Sequence, residues 1–438
     1  MGSSDGISLC FGKTRFLILV LSVICLTFSM ANSLGLNFTV ICMNDVYEKF
    51  DNSTGEIHWL QSPTHVNALF SAIAIGCLIG TIPFSLLVSR FGIGFTIALY
   101  GLVSSLSTLA TPLAVHLGFG AVFICRILQG TATSLSYPAT GMIGTQWAAP
   151  KNAGFFIAIL STHVQFCSIF TMPLAGELCE SSLGWRSLYY IQGIIASVSF
   201  IVFYLFYRDN PATHKWVGRE ELEKIQDGRT HNQTDRVIPY KAIAMDPCVI
   251  AIWCSSIGGT LGFQIFLLYG PSYMNKVLKI DVKSTGFVTA LPYVLSVIMK
   301  FAAGHVSDRL RFIRDKYRMV FFASFSQGIM GICFIILSQS SSAFWGQFFY
   351  TAAIVASGVN SVGVIKCSSV YCRQHVHFVM AVVSFILCLI VLFIPVAVDF
   401  VCPNNTPDEV MPAEIVPPVA CIIEGKEVMA VKCNTSVY

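Results

Sequence analysis

Eleven stretches of this chain are long, apolar and almost free of charge, and no other feature constrains its fold as much. They cover 16–41, 64–87, 94–112, 119–142, 154–176, 187–207, 248–272, 285–304, 319–339, 343–365 and 375–398. A helix that crosses a bilayer needs about 20 mostly apolar residues. Backbone N–H and C=O groups meet no water at that depth, so each run must close its hydrogen bonds internally, as a helix. Composition removes the alternatives. Apolar residues make up 55% of the 438 and charged residues 11%, with a mean hydropathy of +0.70, where a soluble domain carries about 25% charged residues. So few charges cannot clothe a water-exposed surface. That excludes a soluble enzyme and a disordered chain. The net charge of +4 is small and its basic residues are scattered, which excludes a nucleic-acid binder. The expected class is an all-α, multi-pass membrane protein.

Orientation follows from lysine and arginine, which collect on the cytoplasmic side. With the N-terminus inside, 18 of the 27 basic residues fall in cytoplasmic segments and 7 outside, while Arg126 and Lys300 stay within spans. This divides the chain into a cytoplasmic N-terminus 1–15, a six-helix bundle 16–207, a charged cytoplasmic loop 208–247, a five-span bundle 248–398 and a polar extracytoplasmic tail 399–438. Six spans, a central loop and five more is the layout of two related halves, with a site at the midplane between them. A twelfth span is missing, which a truncated isoform or a non-transporting receptor or scaffold would also show. The sequons at Asn52, Asn404 and Asn434 face outward and are glycosylation candidates.

Of the 16 cysteines, most sit in apolar runs, where Cys acts as a small apolar residue. No Cys-x-x-Cys pair exists, so no metal site or cofactor is expected. Cys402, Cys421 and Cys433 lie in the polar tail and could pair in an oxidising compartment. The run from residue 16 is too long for a signal-peptide core.

Arg126 is the most informative residue. It lies well inside the fourth run, where an ionised side chain costs a few kcal/mol and normally faces the bundle interior or a wet cavity. Its planar fork suits a carboxylate or phosphate; the other reading is an arginine held on backbone carbonyls. No run contains Asp or Glu; Glu177, Asp209 and Asp399 stand at ends. A mobile anion is therefore the expected partner, and a membrane-embedded catalytic set lacks its carboxylates. His163, mid-run, can relay a proton near neutral pH or simply bridge two helices. Lys300, read as one turn from the end of its run, is expected to snorkel. Gly304 lets two helices approach, Asp308 with Arg309 and Arg311 can form a charge lock on the cytoplasmic rim, and a degraded copy with Arg90 stands at the matching place in the first half.

Several segments resemble the anion:cation symporter family of the major facilitator superfamily. They are Cys125–Gly130 with Tyr137-Pro138-Ala139, Gln146–Pro150, Met172–Gly176, Gly184–Tyr190, Asp209–His214, Pro271–Met274 and Ala290–Tyr293, continuing through Asp308. The resemblance covers about 16–398, with the wording of an invertebrate branch. It implies the major facilitator fold of two pseudo-symmetric bundles and transport of an organic anion or phosphate by alternating access, coupled to sodium or a proton or driven by membrane potential. It implies a plasma, vesicle or lysosome membrane. It places Arg126 at the family's substrate arginine. Asn37 and Tyr137 are read as further substrate-binding candidates, and His163 is the coupling candidate on its own chemistry, although the family has a small residue at its place. The departures are specific. An acid common seven residues after that arginine is Thr133 here. An arginine of span one falls at Gly35, one of span seven near Gly259, and a histidine of span two near Phe70.

Overall fold

The structure, a computed structural model, describes residues 13–46, 58–150, 153–227, 240–310, 315–339, 342–371 and 376–401. The Asn52, Asn404 and Asn434 sequons and the tail cysteines lie outside the described residues. So does the side chain of Asp308.

All regular structure among the described residues is helical. The helices are α1 (Thr14–Thr39), α2 (Pro63–Phe91), α3 (Ile93–Leu117), α4 (Phe119–Thr133), α5 (Ser136–Trp147), α6 (Ala153–Leu160), α7 (His163–Glu180) and α8 (Arg186–Phe206). After them come α9 (Arg219–Gln226), α10 (Tyr240–Ala244), α11 (Pro247–Ser272), α12 (Val282–Arg309), α13 (Asp315–Gln339), α14 (Ala343–Tyr371) and α15 (Val376–Val401). Among the described residues, nine helical stretches are long and apolar enough to cross a membrane. The other two of the eleven runs are the α4–α5 pair and α14. The fourth run is not one continuous helix. It breaks at Ser134–Leu135, because Pro138 has no N–H to give the Ser134 carbonyl.

The chain crosses back and forth between two faces. The N-terminal face carries the start of α1 and residues 207–227 and 240–246; the opposite face carries residues 40–46 and 58–62 between α1 and α2. In the first half α1 packs on α7 and α8, α2 and α3 on α4, and α3 on α8. In the second half α11 packs on α15 and α14, and both α12 and α13 pack on α14. Each second-half pair repeats a first-half pair six spans on. The halves meet through α7 with α12 and α2 with α15. A shift of six spans exchanges these two contacts, so the halves are related by pseudo-twofold symmetry.

Small residues set the closest approaches. A Cβ on Gly76 of α2 would overlap the carbonyl of Ile127 on α4, and one on Gly130 would overlap the carbonyl of Ile73. Bare backbone surfaces let α2 and α4 touch without side chains between them. Between the halves, a Cβ on Gly286 of α12 would lie 2.6 Å from the carbonyl oxygen of Met172 on α7.

Two tertiary ties anchor the first half. At the N-terminal face, the amides of Thr14 and Arg15 donate to the two carboxylate oxygens of Glu221 at 3.1 and 2.9 Å. A buried acid on α9 thus caps α1 where its unpaired N–H groups and dipole favour a negative charge. The charged central segment, read from sequence only as a loop, therefore contributes a packed helix. At the opposite face, Cys42 and Cys179 form a disulfide that joins the end of α1 to the end of α7.

Candidate functional site

Arg126 sits on the α4 face that meets α1 and α2, and it is 0% exposed. Its Nη1 donates to the Ser33 carbonyl at 2.6 Å and to Gln129 Oε1 at 3.2 Å. Nη2 donates to Asn37 Oδ1 at 3.2 Å, and Nε to the Leu69 carbonyl at 3.3 Å. Gln129 is held in turn by Thr108 and Thr111, which accept from its Nε2 at 3.2 and 3.1 Å. All of the acceptors are neutral. The carbonyl-held arginine weighed at the sequence level is thus realised, yet no carboxylate cancels the charge. Arg126 and Asn37 also line a cavity of about 70 Å³, with Ser33, Thr133, Cys167 and Gln264. Thr133, where the family resemblance expects an acid, turns its hydroxyl to the Gly130 carbonyl at 2.6 Å.

A second, wider cavity of about 170 Å³ adjoins it through the shared residues Met30, Gln264 and Leu387. Its wall includes Tyr137, His163 and Lys300. The wide cavity takes most of its lining from the half nearer the N-terminal face, including Tyr137, His163, Lys300, Asn360 and Met380, while Met30, Phe263 and Gln264 reach toward the middle, so the two cavities together lead from mid-depth toward that face. His163 is 1% exposed and its Nδ1 lies 2.7 Å from the Leu160 carbonyl. A carbonyl only accepts, so Nδ1 carries the hydrogen. Nε2 is buried without a hydrogen-bond partner among the described residues.

Lys300 does not snorkel. It is 6% exposed and lines the wide cavity. The apolar run ends at Gly304, but the helix continues to Arg309. Lys300 therefore stands nine residues from the helix end, which is about 13 Å at 1.5 Å per residue. The extra turns could have been read from the acidic and basic residues that still keep helical spacing after Gly304.

The opposite face is closed. Lys283 Nζ on α12 pairs with Glu177 on α7 at 3.1 Å, and the Lys283 amide donates to Glu180 at 3.0 Å. Nearby, Tyr269 donates to Asn67 Oδ1 at 2.8 Å, and Asn67 Nδ2 donates to Asp399 at 3.3 Å. This joins α11, α2 and α15. The sequence analysis placed its gate on the other rim, and there Arg90 and Arg309 are exposed. Arg90 lies over the ring of its neighbour Phe91, and Gly304 has open space beside it.

The segments that carried the family resemblance meet in space. Trp147 donates to the Arg208 carbonyl at 3.1 Å and packs edge-on to His214, while Gln146 accepts from Tyr207 at 2.7 Å. Asp209 accepts from the Gly94 amide at 3.0 Å at the start of α3. Burial among these rings lowers the pKa of His214 from its ordinary value, against the raising effect of the Phe206 carbonyl. At the opposite face, Asp45 accepts from Trp185 and pairs with Arg186, both at 2.8 Å. At Gly259, where the resemblance marks an arginine, a Cβ would overlap Asn360 Nδ2. Asn360 fills that space.

Residues 16–395 match the Major Facilitator Superfamily. A putative inorganic phosphate cotransporter of Drosophila melanogaster is 29% identical over 265 residues, which is 59% of this chain and 49% of that protein. Sialin of Ovis aries is 26% identical over 261 residues, 59% of this chain and 52% of that one. The chain thus spans about half the length of these curated relatives. Sodium-dependent phosphate transport protein 1 of Mus musculus is 25% identical over 387 residues, covering 84% and 80%. Among solved structures, a bacterial homolog of the human lysosomal transporter Spinster, inward-facing and unoccupied, superposes with a TM-score of 0.65 at 15% identity, covering 96% of this chain and 90% of that one. The D-xylose–proton symporter gives 0.64 at 15%, covering 94% and 98%.

Proposed function

The chain belongs to the Major Facilitator Superfamily, a family of membrane transporters, and from that premise we propose that it carries a small organic anion or phosphate across the membrane by alternating access. The observation that carries this reading is Arg126, a buried cation held only by neutral oxygens at the wall of a cavity. An arginine at that depth is stable while neutral acceptors cradle it, and it gains further when an anion arrives. Asn37 orients the guanidinium, and Tyr137 lines the path beyond it.

The closed opposite face and the path toward the N-terminal face support an inward-open state, with the N-terminus cytoplasmic. The Cys42–Cys179 disulfide supports the same orientation, since such bonds persist on an oxidising side. Outward opening separates Lys283 from Glu177 and Asn67 from Asp399, while Gly304, Asp308, Arg309 and Arg90 close the cytoplasmic rim. Either sodium or a proton drives the cycle, with His163 as the proton candidate, or the membrane potential does, at about 2.3 kcal/mol per charge per 100 mV.

Uptake into proteoliposomes tests this. Inorganic phosphate, glutamate, sialic acid and urate are offered under sodium, pH and voltage gradients. One of them is expected to be concentrated, and Arg126→Ala is expected to lower that uptake at least about tenfold, which is 1.4 kcal/mol or more. Uptake unaffected by Arg126→Ala, or no uptake by folded wild type, overturns the reading.

A further inference from the structure

We propose that the wider cavity holds a second anion site, built on Lys300 and His163, at which a small oxyanion is taken up together with a proton. The site rests on the carrier reading for its place along the path, but not for its chemistry.

Lys300 and His163 line one cavity and both are more than nine-tenths buried. Among the described residues, no Asp or Glu lines that cavity. None of the ion pairs among the described residues includes Lys300. A buried ammonium without a counter-charge is unfavourable unless an anion reaches it. Arg126 is not part of this site. It lies seven residues into α4, and Lys300 eighteen residues into α12, both helices starting at the opposite face. At 1.5 Å per residue the two depths differ by roughly 16 Å. A small anion cannot touch both, so they act as successive stations.

His163 supplies the proton. With Nδ1–H committed to the Leu160 carbonyl, the neutral ring offers only a lone pair at Nε2. That atom repels an anion. The protonated ring offers an Nε2–H donor, but beside an ammonium this form is disfavoured unless an anion lies between them. Anion and proton therefore bind together, each raising the affinity for the other. The other titratable groups on this side of the core are Tyr137 on α5, which lines the same cavity, Cys167 one turn along α7 from His163, and Tyr293 on α12, in the same buried core as Cys167. Their ordinary pKa values lie well above neutral. The residues that α1, α11, α14 and α15 bring to the cavity are not titratable. Among the described residues, the buried amide oxygens Gln165 Oε1 and Asn360 Oδ1 also have no partner. They suit an oxyanion that carries O–H groups, such as dihydrogen phosphate or a hydroxy acid.

Equilibrium binding to purified protein tests the site apart from transport. Inorganic phosphate, sialic acid, glutamate and urate are used as probes at pH 5.5 and 7.5, in an Arg126→Ala background. At least one is expected to bind, several-fold more tightly at the lower pH. Lys300→Gln is expected to weaken that binding at least tenfold, and Lys300→Arg to keep it. His163→Gln is expected to flatten the pH dependence. Absence of binding by all four probes, or binding indifferent to Lys300→Gln, overturns the site. An intact Cys42–Cys179 bond checks folding of each variant. If wild type transports through Arg126 while Lys300→Gln binds as before, the site falls and the carrier stands. If nothing is transported while Lys300-dependent binding persists, the carrier falls and the site stands.

Discussion

Arg126 and Glu221 are both buried ionised residues, and their surroundings separate their roles. Glu221 spends its charge within the protein, on two backbone amides at the start of α1. Hydrogen bonds to a charged group contribute about 1.5–3 kcal/mol each. Glu221→Ala is therefore expected to lower the thermal midpoint of the purified protein by several degrees. Glu221→Gln, which keeps one acceptor, should lose less. Arg126 meets only neutral oxygens, so its charge stays available. Its position inside an apolar run was legible in the sequence, and so was the absence of an acid partner. Its four acceptors were not, because three of them belong to α1 and α2, far away in the chain.

At the scale of the element, helix existence was the easiest property to read and helix length the hardest. Hydropathy marks where lipid begins and ends, whereas hydrogen bonding decides where a helix stops. Val282–Arg309 continues past its apolar run, and that moved Lys300 from the rim into the cavity wall. Ser134–Leu135 shows the reverse, an apolar run interrupted because Pro138 withholds a donor. The spacing of Gly76 and Gly80 is common in membrane helices and said little by itself. In the fold, Gly76 lies directly against the α4 backbone one residue from Arg126. Gly76→Leu is expected to force α2 and α4 apart, cutting the yield of folded protein and the affinity for the transported anion together. Size-exclusion profiles and binding measured on the surviving fraction check this. Gly184→Ala, whose added Cβ would meet nothing within 4 Å, serves as the contrast, its effect confined to a turn whose φ of 67° disfavours a side chain.

For the whole molecule, pseudo-twofold symmetry makes α7 with α12 and α2 with α15 the seams between the halves, on which the proposed transport cycle turns. The opposite-face end of the first seam carries Lys283 and Glu177, each about half exposed, a setting in which an ion pair contributes up to about 1 kcal/mol. Lys283→Glu is expected to slow net uptake a few-fold by repelling Glu177 and Glu180. Adding Glu177→Lys should restore part of it, and a double-mutant comparison of transport rates reads the coupling. Loss of recovery in the double variant would place the effect elsewhere. Cys42→Ser is expected to free Cys179 for alkylation and lower the thermal midpoint, since it releases the tie between α1 and α7.

The sequence by itself determined that this chain crosses a bilayer many times, that its two halves are related, and that Arg126 stands alone among apolar residues. Those properties are local or additive: hydropathy, periodicity, and the cost of a charge away from water. Tertiary structure alone decided that Cys42 meets Cys179, that a central-segment acid caps the first helix, that the opposite face is the closed one, and that Lys300 and His163 share a cavity. Each of these joins residues distant in the chain, and such distances are set only when side chains pack helix against helix.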